Sequence, residues 1–510
     1  MLTFISRRLI VSVLILLGAS FIVYVLTAVS GDPLEDLRQS RLPNRDTLMA
    51  QRTQELMLNV PPPLRFFLWL GGAAKCLIPF ANACDLGLTR SHQPVIELLP
   101  MAIGSTIQLV TTATILAIIL GVTIGIASAL RQYSGFDGTI TFISFLLYSL
   151  PSFAAAVLLK EFLAIGYNDF LRTPVIPPLV IVVIALLAGL IWQAILGGAT
   201  AKRLRTAVIA AVATGGVLAY VSLTDWFARP ALGPVVIAVA SAGIALALIG
   251  LTVGLRNRRG LLTGGITVVI AIVSYFALQG LFNISSSSTL LILGLGMLAS
   301  GLLVGYLVGG PDRGSNLRIG GLTALLSFGL ILIDRLMQSW PTYVNAIGGR
   351  PIATVGSETP SLGGDVWIGG LDSFTHMLLP TVSLMLISFA GYTRYARAGM
   401  LDVLNQDYIR TARAKGMPER VVVVRHALRN SLVPIATIVA LDFGAVLGGA
   451  IITEQIFAFS GMGQLFQTGL NDVDVNPVMG YFVVISIMTL VFNFIADLTY
   501  SALDPRVRTR

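Results

Sequence analysis

The stretch Tyr408 to Pro434, YIRTARAKGMPERVVVVRHALRNSLVP, decides how the chain is read. It is dense in Arg, yet long uncharged runs lie on either side of it. Between Arg394 and Arg429 stand eight bases: Arg394, Arg397, Arg410, Arg413, Lys415, Arg420, Arg425 and Arg429. Only Asp402, Asp407 and Glu419 offset them. At about 2.5 to 3.5 kcal/mol per charge at the middle of a bilayer, burying them would cost on the order of 20 kcal/mol. The segment therefore belongs in water, between two spans. It also reads as structured. DYIRTARAKG favours helix up to Gly416, a natural C-terminal stop, and Pro418 suits the first turn of a following helix. The expectation is helix, tight turn, helix.

Composition agrees with a chain built for lipid. Of 510 residues, 55% are hydrophobic and 12% charged, outside the usual range of soluble domains. The expected fold is all-α, a polytopic membrane protein of about twelve transmembrane helices. Uncharged runs cover 9–29, 101–130, 139–159, 173–201, 206–224, 230–255 and 260–311. Most exceed the roughly 20 residues a helix needs to cross a bilayer, and the last is long enough for two crossings around NISSSS. A shorter run, 319–333, and three later spans near 373–393, 430–453 and 475–496 complete the twelve. The first run is too long for a signal-peptide core and lacks an Ala-x-Ala site, so it reads as a retained helix.

The net charge of +9 does not imply nucleic acid, because the bases fall in short clusters between spans, as in cytoplasmic loops of membrane proteins. Placing Arg7 and Arg8 in the cytoplasm puts 31–100 outside, where seven acids balance seven bases. AKRLR (201–205), RNRR (256–259) and PDRGSNLR (311–318) then alternate with nearly neutral loops, and both termini are expected in the cytoplasm. The two cysteines, Cys76 and Cys84, both lie in the external segment, as a disulfide or as two buried thiols. His92, His376 and His426 have no ligand spacing, and no metal site is expected.

The order of residues in the opening stretch resembles the EAA loop of bacterial ABC importer permeases. YIRTARAKG, RHALRN and LVP resemble most closely the peptide-type subfamily, which comprises dipeptide, oligopeptide and nickel permeases. RRLIVSVLILLGASFIVYVLTAVSGDP is similar to the family's first helix and Gly-Asp-Pro turn. YSLPSF is similar to its third-span proline motif, and EQIFAFSGMGQLF with LDPRVRTR to its end. The resemblance covers roughly 1–165 and 372–510, and Arg410 stands where the wider family usually has an acid.

The resemblance implies a type I importer fold with a six-helix permease core divided by a large added membrane segment. The expected parts are 1–165 (first three spans), 166–375 (about six added spans ending in a Gly-rich loop) and 376–510 (last three spans), with a coupling loop at 400–431. It implies that Arg410, Thr411, Ala412, Arg413, Lys415, Gly416, Met417, Pro418, Arg425, Asn430 and Pro434 form a surface that docks on a separate ATPase. The implied partners are a second, homologous permease subunit, one or two ABC ATPase subunits carrying ATP and Mg, an extracytoplasmic peptide-binding protein and the lipid bilayer of a bacterial inner membrane.

This chain is expected to bind no cofactor itself and not to be an enzyme. A Walker A loop needs Gly-Lys-Ser/Thr, and the lysines here follow Ala74, Leu159, Ala201 and Ala414. Asp442, Glu454, Gly461 and Gly463 are candidates for the translocation pathway or gate. For Asp442, an acid in an apolar span, both a contact with a peptide amino group and an internal polar contact stand open. Nickel as cargo remains an alternative. So does an ion-coupled secondary transporter, although that class is expected to carry internal repeats and midplane ionisable groups, and the spans from 173 to 333 are almost free of charge.

Overall fold

A computed structural model describes residues 2–76, 84–283 and 286–503. The terminal motif beyond Leu503 and part of NISSSS lie outside the described residues, as do the side chains of Arg7 and Arg8. Among the described residues the architecture is helical, and the β pairing is one isolated bridge, Leu88 with Pro94.

The principal helices are α1 (Leu2–Val29), α2 (Pro62–Lys75), α3 (Val95–Leu130), α4 (Gly135–Ser149), α5 (Ser152–Leu158), α6 (Pro178–Leu196), α7 (Thr200–Leu223), α8 (Gly233–Thr252), α9 (Arg258–Ala277), α10 (Ser287–Gly309), α11 (Arg313–Gln338), α12 (Val366–Leu404), α13 (Asp407–Ala414), α14 (Leu428–Ile456), α15 (Met462–Asn471) and α16 (Val475–Leu503). Nine helical runs among the described residues are long and apolar enough to cross a membrane, or ten if the bent pair Gly135–Ser149 and Ser152–Phe170 is one span. One of the nine, Ser287–Gln338, comprises both α10 and α11. Counting these separately and adding the 29-residue α14 gives twelve.

The third span is not the straight helix expected over 139–159. It bends by 102° between α4 and the helical arm that follows. Pro151, extended at φ −60° and ψ 140°, stands at the break and cannot donate the backbone bond that would carry the helix through. The bent arm continues through Phe170, so the expected boundary at 165 falls within it. The boundary at 375 likewise falls inside α12, which Asp365 starts at Val366 by accepting the Trp367 and Ile368 N–H groups. The bent arm ends at Phe170, and α12 begins at Val366.

α3 and α12 form the centre of the helices outside the middle segment. A Cβ on Gly121 would stand 2.9 Å from the Tyr392 side chain, and one on Gly125 2.5 Å from the Thr393 carbonyl. Residue numbers rise together along this contact, so the two helices run parallel although about 270 positions separate them. The middle segment is built from antiparallel hairpins. α10 and α11 meet where Gly301 and Gly320 each face the other's carbonyl, so that a Cβ on either would clash with backbone. Small residues at such contacts let membrane helices approach closely. α8, α9, α10 and α11 pack as a bundle, while the α6/α7 hairpin lies against α4.

Polar groups fix both ends of the bundle. At one face the buried Asp334 carboxylate accepts the Leu232 and Gly233 N–H groups at 2.6 and 3.0 Å, the Tyr275 hydroxyl and the Gln338 amide. At the opposite face Asn257 bonds Asp312, joining the α8/α9 and α10/α11 turns. This second face also carries the basic stretch, because Arg420 reaches the end of α8.

Candidate functional site: an exposed helical loop and the clamp behind it

The basic stretch is helix, turn, helix. α12 extends to Leu404, so Arg394 and Arg397 are helical and the loop's own helices begin after it. Arg394 lies over the Tyr148 ring at 4.4 Å. Arg397 forms a two-bond ion pair with the buried Asp137 at 2.7 and 2.9 Å, and Ser128 donates to the same carboxylate at 2.6 Å. The last turn of α12 is thereby fixed to α3 and α4.

α13 follows. Gly416 takes φ +73° with nothing within 4 Å of where a Cβ would stand, a left-handed turn that favours glycine. Pro418 then stands extended at the start of Glu419–Val421, which continues through a π turn at Val422–Ala427 into α14. Arg413 grips Glu419 across the turn at 2.6 and 3.1 Å, and this bond to the guanidinium holds the Glu419 carboxyl below its usual range. At the base, the Asn430 amide donates to the Tyr408 hydroxyl at 2.9 Å.

The loop has two faces. Ile409, Ala412, Val422 and Ala427 are buried with Met400 and Ala129, and Met417 packs beside them. Arg410, Thr411, Arg413, Lys415, Gly416, Pro418, Arg425 and Asn430 are exposed. Ala412 thus belongs to the seat of the loop rather than its outer surface. Pro434 is exposed inside α14, beyond the loop. The result is a rigid protrusion whose apolar underside is held by the span ends.

At the opposite face the structure joins Glu454, Gly461 and Gly463. The Glu454 side chain is fully buried. One carboxylate oxygen accepts the Thr106 hydroxyl at 2.6 Å, and the other accepts the Gly463 and Gln464 N–H groups at 2.6 and 3.2 Å. Thr106 in turn accepts the Met462 N–H at 2.8 Å. The Glu454 carboxyl thus satisfies the first N–H groups of α15, which no intrahelical partner reaches. A Cβ on Gly461 would stand 2.5 Å from the Glu454 carboxylate, and one on Gly463 2.5 Å from Ile451 Cα. Both positions are small because the carboxylate fills the space. Asp442 stands apart, half-buried on α14 with its carboxylate against the Tyr392 hydroxyl of α12.

Cys76 and Cys84 are joined as a disulfide at the Glu454 face. Residues 84–94 are fixed to the α15–α16 turn and α16 there: the Arg90 N–H donates to Asp474 at 2.6 Å and the Asn476 amide to the Leu88 carbonyl at 2.7 Å. The Gly-rich loop is held over the same face. Asn168 and Ile352 exchange two bonds at 2.8 and 3.0 Å, Thr359 donates twice to the buried Asp372, and the Gly356 N–H reaches the Phe457 carbonyl. Thr106, Asp137, Asn168 and Asp372 were not legible as partners from sequence. Each is a single polar residue in or beside an apolar run, and nothing local names the residue it meets.

A multi-pass helical membrane protein with a rigid basic protrusion at one face is the architecture of a transport permease. Residues 247–509, a little over half of the chain, match the family described as binding-protein-dependent transport system inner membrane component, and the chain belongs to that family. It is 38% identical over 179 residues to the oligopeptide transport system permease protein OppB of Mycobacterium bovis, covering 35% of this chain and 54% of that one. It is 45% identical over 136 residues to the oligopeptide permease AppB of Bacillus subtilis (27% and 43%), and 41% identical over 138 residues to the dipeptide permease DppB of Escherichia coli (27% and 41%). The chain thus spans about half the length or less of these curated relatives.

Proposed function

We propose that this chain is the permease subunit of an ATP-driven, binding-protein-dependent importer of peptides, forming half of the translocation pathway in a bacterial inner membrane. The observation that carries the reading is the 405–427 protrusion, whose apolar side is seated on the span ends while its basic side is free to meet a partner. Such a protrusion passes a rigid-body displacement of an ATPase to α12 and α14, the spans on either side of it. Family membership supports dependence on a binding protein and sets the ion-coupled alternative aside. The names of the relatives support peptides over nickel.

On this reading the protrusion lies in the cytoplasm with both termini, and one or two ATPase subunits bind it, holding ATP and Mg. The disulfide face meets an extracytoplasmic peptide-binding protein. A second, homologous permease completes the pathway, and α6 to α11 are an addition to a six-span core. Glu454, Gly461 and Gly463 act as the clamp that sets the outer end of α14.

Gly416→Asp is the test. A side chain is strained at φ +73°, and the turn faces the ATPase. The variant is expected to insert normally and to lose uptake by at least a hundredfold in vesicles reconstituted with the ATPases and binding protein. Wild-type uptake overturns the reading.

A further inference from the structure

α8 ends in a way that leaves two carbonyls free. Gly254 takes φ +85°, and its N–H bonds back to Ile249 at 2.8 Å, as the Val253 N–H also does. In a regular helix the Gly254 N–H would serve Gly250. This closing turn therefore leaves the carbonyls of Gly250 and Leu251 without helical donors. Both are taken by one side chain from a distant part of the chain: the Arg420 guanidinium donates to Gly250 at 2.9 Å and to Leu251. A cation at a helix C-terminus also meets the negative end of the helix dipole.

The other end of the bundle is fixed to α12. Trp367, in the first turn of α12, donates its indole N–H to the Phe282 carbonyl at 2.7 Å and packs edge-on against the Phe282 ring. The bundle therefore touches α12 near Trp367 at one end and the loop, just past its turn, at Arg420 at the other. α8 crosses the distance between them as a straight 20-residue helix about 30 Å long. α12, by contrast, carries Pro380 in its interior, where one backbone bond is missing.

We infer that the middle segment is a brace on the coupling loop, and that Arg420 is the positioning residue that ties them. The inference rests on the coupling reading of the loop. Displacement of the loop against α12 must stretch the Arg420 contact, so the tie sets how far the loop departs from its resting position and how readily the ATPase turns over.

The test uses the full complex in lipid nanodiscs, with Arg420→Ala, Arg420→Lys and Gly416→Asp compared with wild type. Two readouts need no cargo: the basal ATPase rate and hydrogen exchange of the 407–427 amides. Arg420→Ala is expected to assemble at wild-type yield, to speed exchange in the loop at least fivefold and to change the ATPase rate at least threefold. Arg420→Lys, which keeps a cation for the carbonyls, is expected to recover at least half of both effects. Unchanged exchange and ATPase rate in Arg420→Ala overturn the brace while leaving the coupling reading intact if Gly416→Asp still changes the ATPase rate. If Gly416→Asp has no effect either, the coupling reading fails and the brace with it.

Discussion

The permease half and the middle segment are both bundles of apolar helices, but their defining contacts differ in reach along the chain. In the permease half they join distant residues: Thr106 to Glu454, Asp137 to Arg397, Gly121 to Tyr392. In the middle segment they join hairpin neighbours: Gly301 to Gly320, Gly264 to Ile249, Gly189 to Ala207. Hairpins whose contacts are local bury their small-residue faces without help from the rest of the chain. Such a unit can be placed between two spans, in even number, without altering the packing on either side. The core has no such freedom, because its Thr106–Glu454 and Asp137–Arg397 bonds each require both parts of the chain.

The largest effect that tests this contrast is at Glu454. Glu454→Leu leaves the Thr106 hydroxyl and the Gly463 and Gln464 N–H groups buried without a partner, at a cost of about 3–5 kcal/mol. The chain is expected to reach the assembled complex at less than a tenth of wild-type yield, measured by co-purification with the ATPases. The matched lesion, Asp334→Leu, is expected to loosen the middle bundle and leave assembly within twofold of wild type. Equal losses for the two would erase the distinction.

An intermediate effect comes from excision. Joining Arg172 to Ser339 by a short polar linker removes six spans and keeps the Gly-rich loop with its Asn168 and Asp372 contacts. Assembly is expected to survive, with uptake reduced several-fold because the brace is gone. Failure of the shortened chain to assemble would show that the core depends on the segment.

The smallest effect is a pH dependence at the seam between the external segment and α16. Burial raises the Asp474 carboxyl to about 6 from 3.8, against the opposing pull of the Arg90 N–H bond. Between these values the folded chain holds more protons than the unfolded one, so stability falls as pH rises from about 4 to 6, and the loss is complete above that. Asp474→Asn is expected to flatten this dependence in melting curves taken at pH 4.5 and 7.5. A wild-type curve that rises with pH across this window would reverse the assignment.

Sequence showed the fold class, the span positions and the protrusion, because each has a local cause: an uncharged run of sufficient length, a glycine that stops a helix, a proline that starts one. It did not show the 102° bend at Pro151, because a proline inside an apolar run reads equally as a kink or a break. The clamp was half visible. Glu454, Gly461 and Gly463 stand out as an acid and two small residues within ten positions, but their partner Thr106 is 348 residues away and looks like any threonine in a span. Arg420 looked like one base among eight. Only the end of α8, remote in the chain, distinguishes it.

The Thr106–Glu454 bond also has a consequence for biosynthesis. At roughly 5 to 20 residues per second, Thr106 leaves the ribosome some 20 to 70 s before Glu454 does. For that interval α3 lies in the membrane with its clamp hydroxyl and the Gly125 contact surface uncovered, while α4 to α13 are made. An unfinished core of this kind is what membrane insertases and quality-control proteases encounter. Shielding of α3 by such a factor, more than the chemical stability of the finished protein, is expected to set how much of it a cell accumulates.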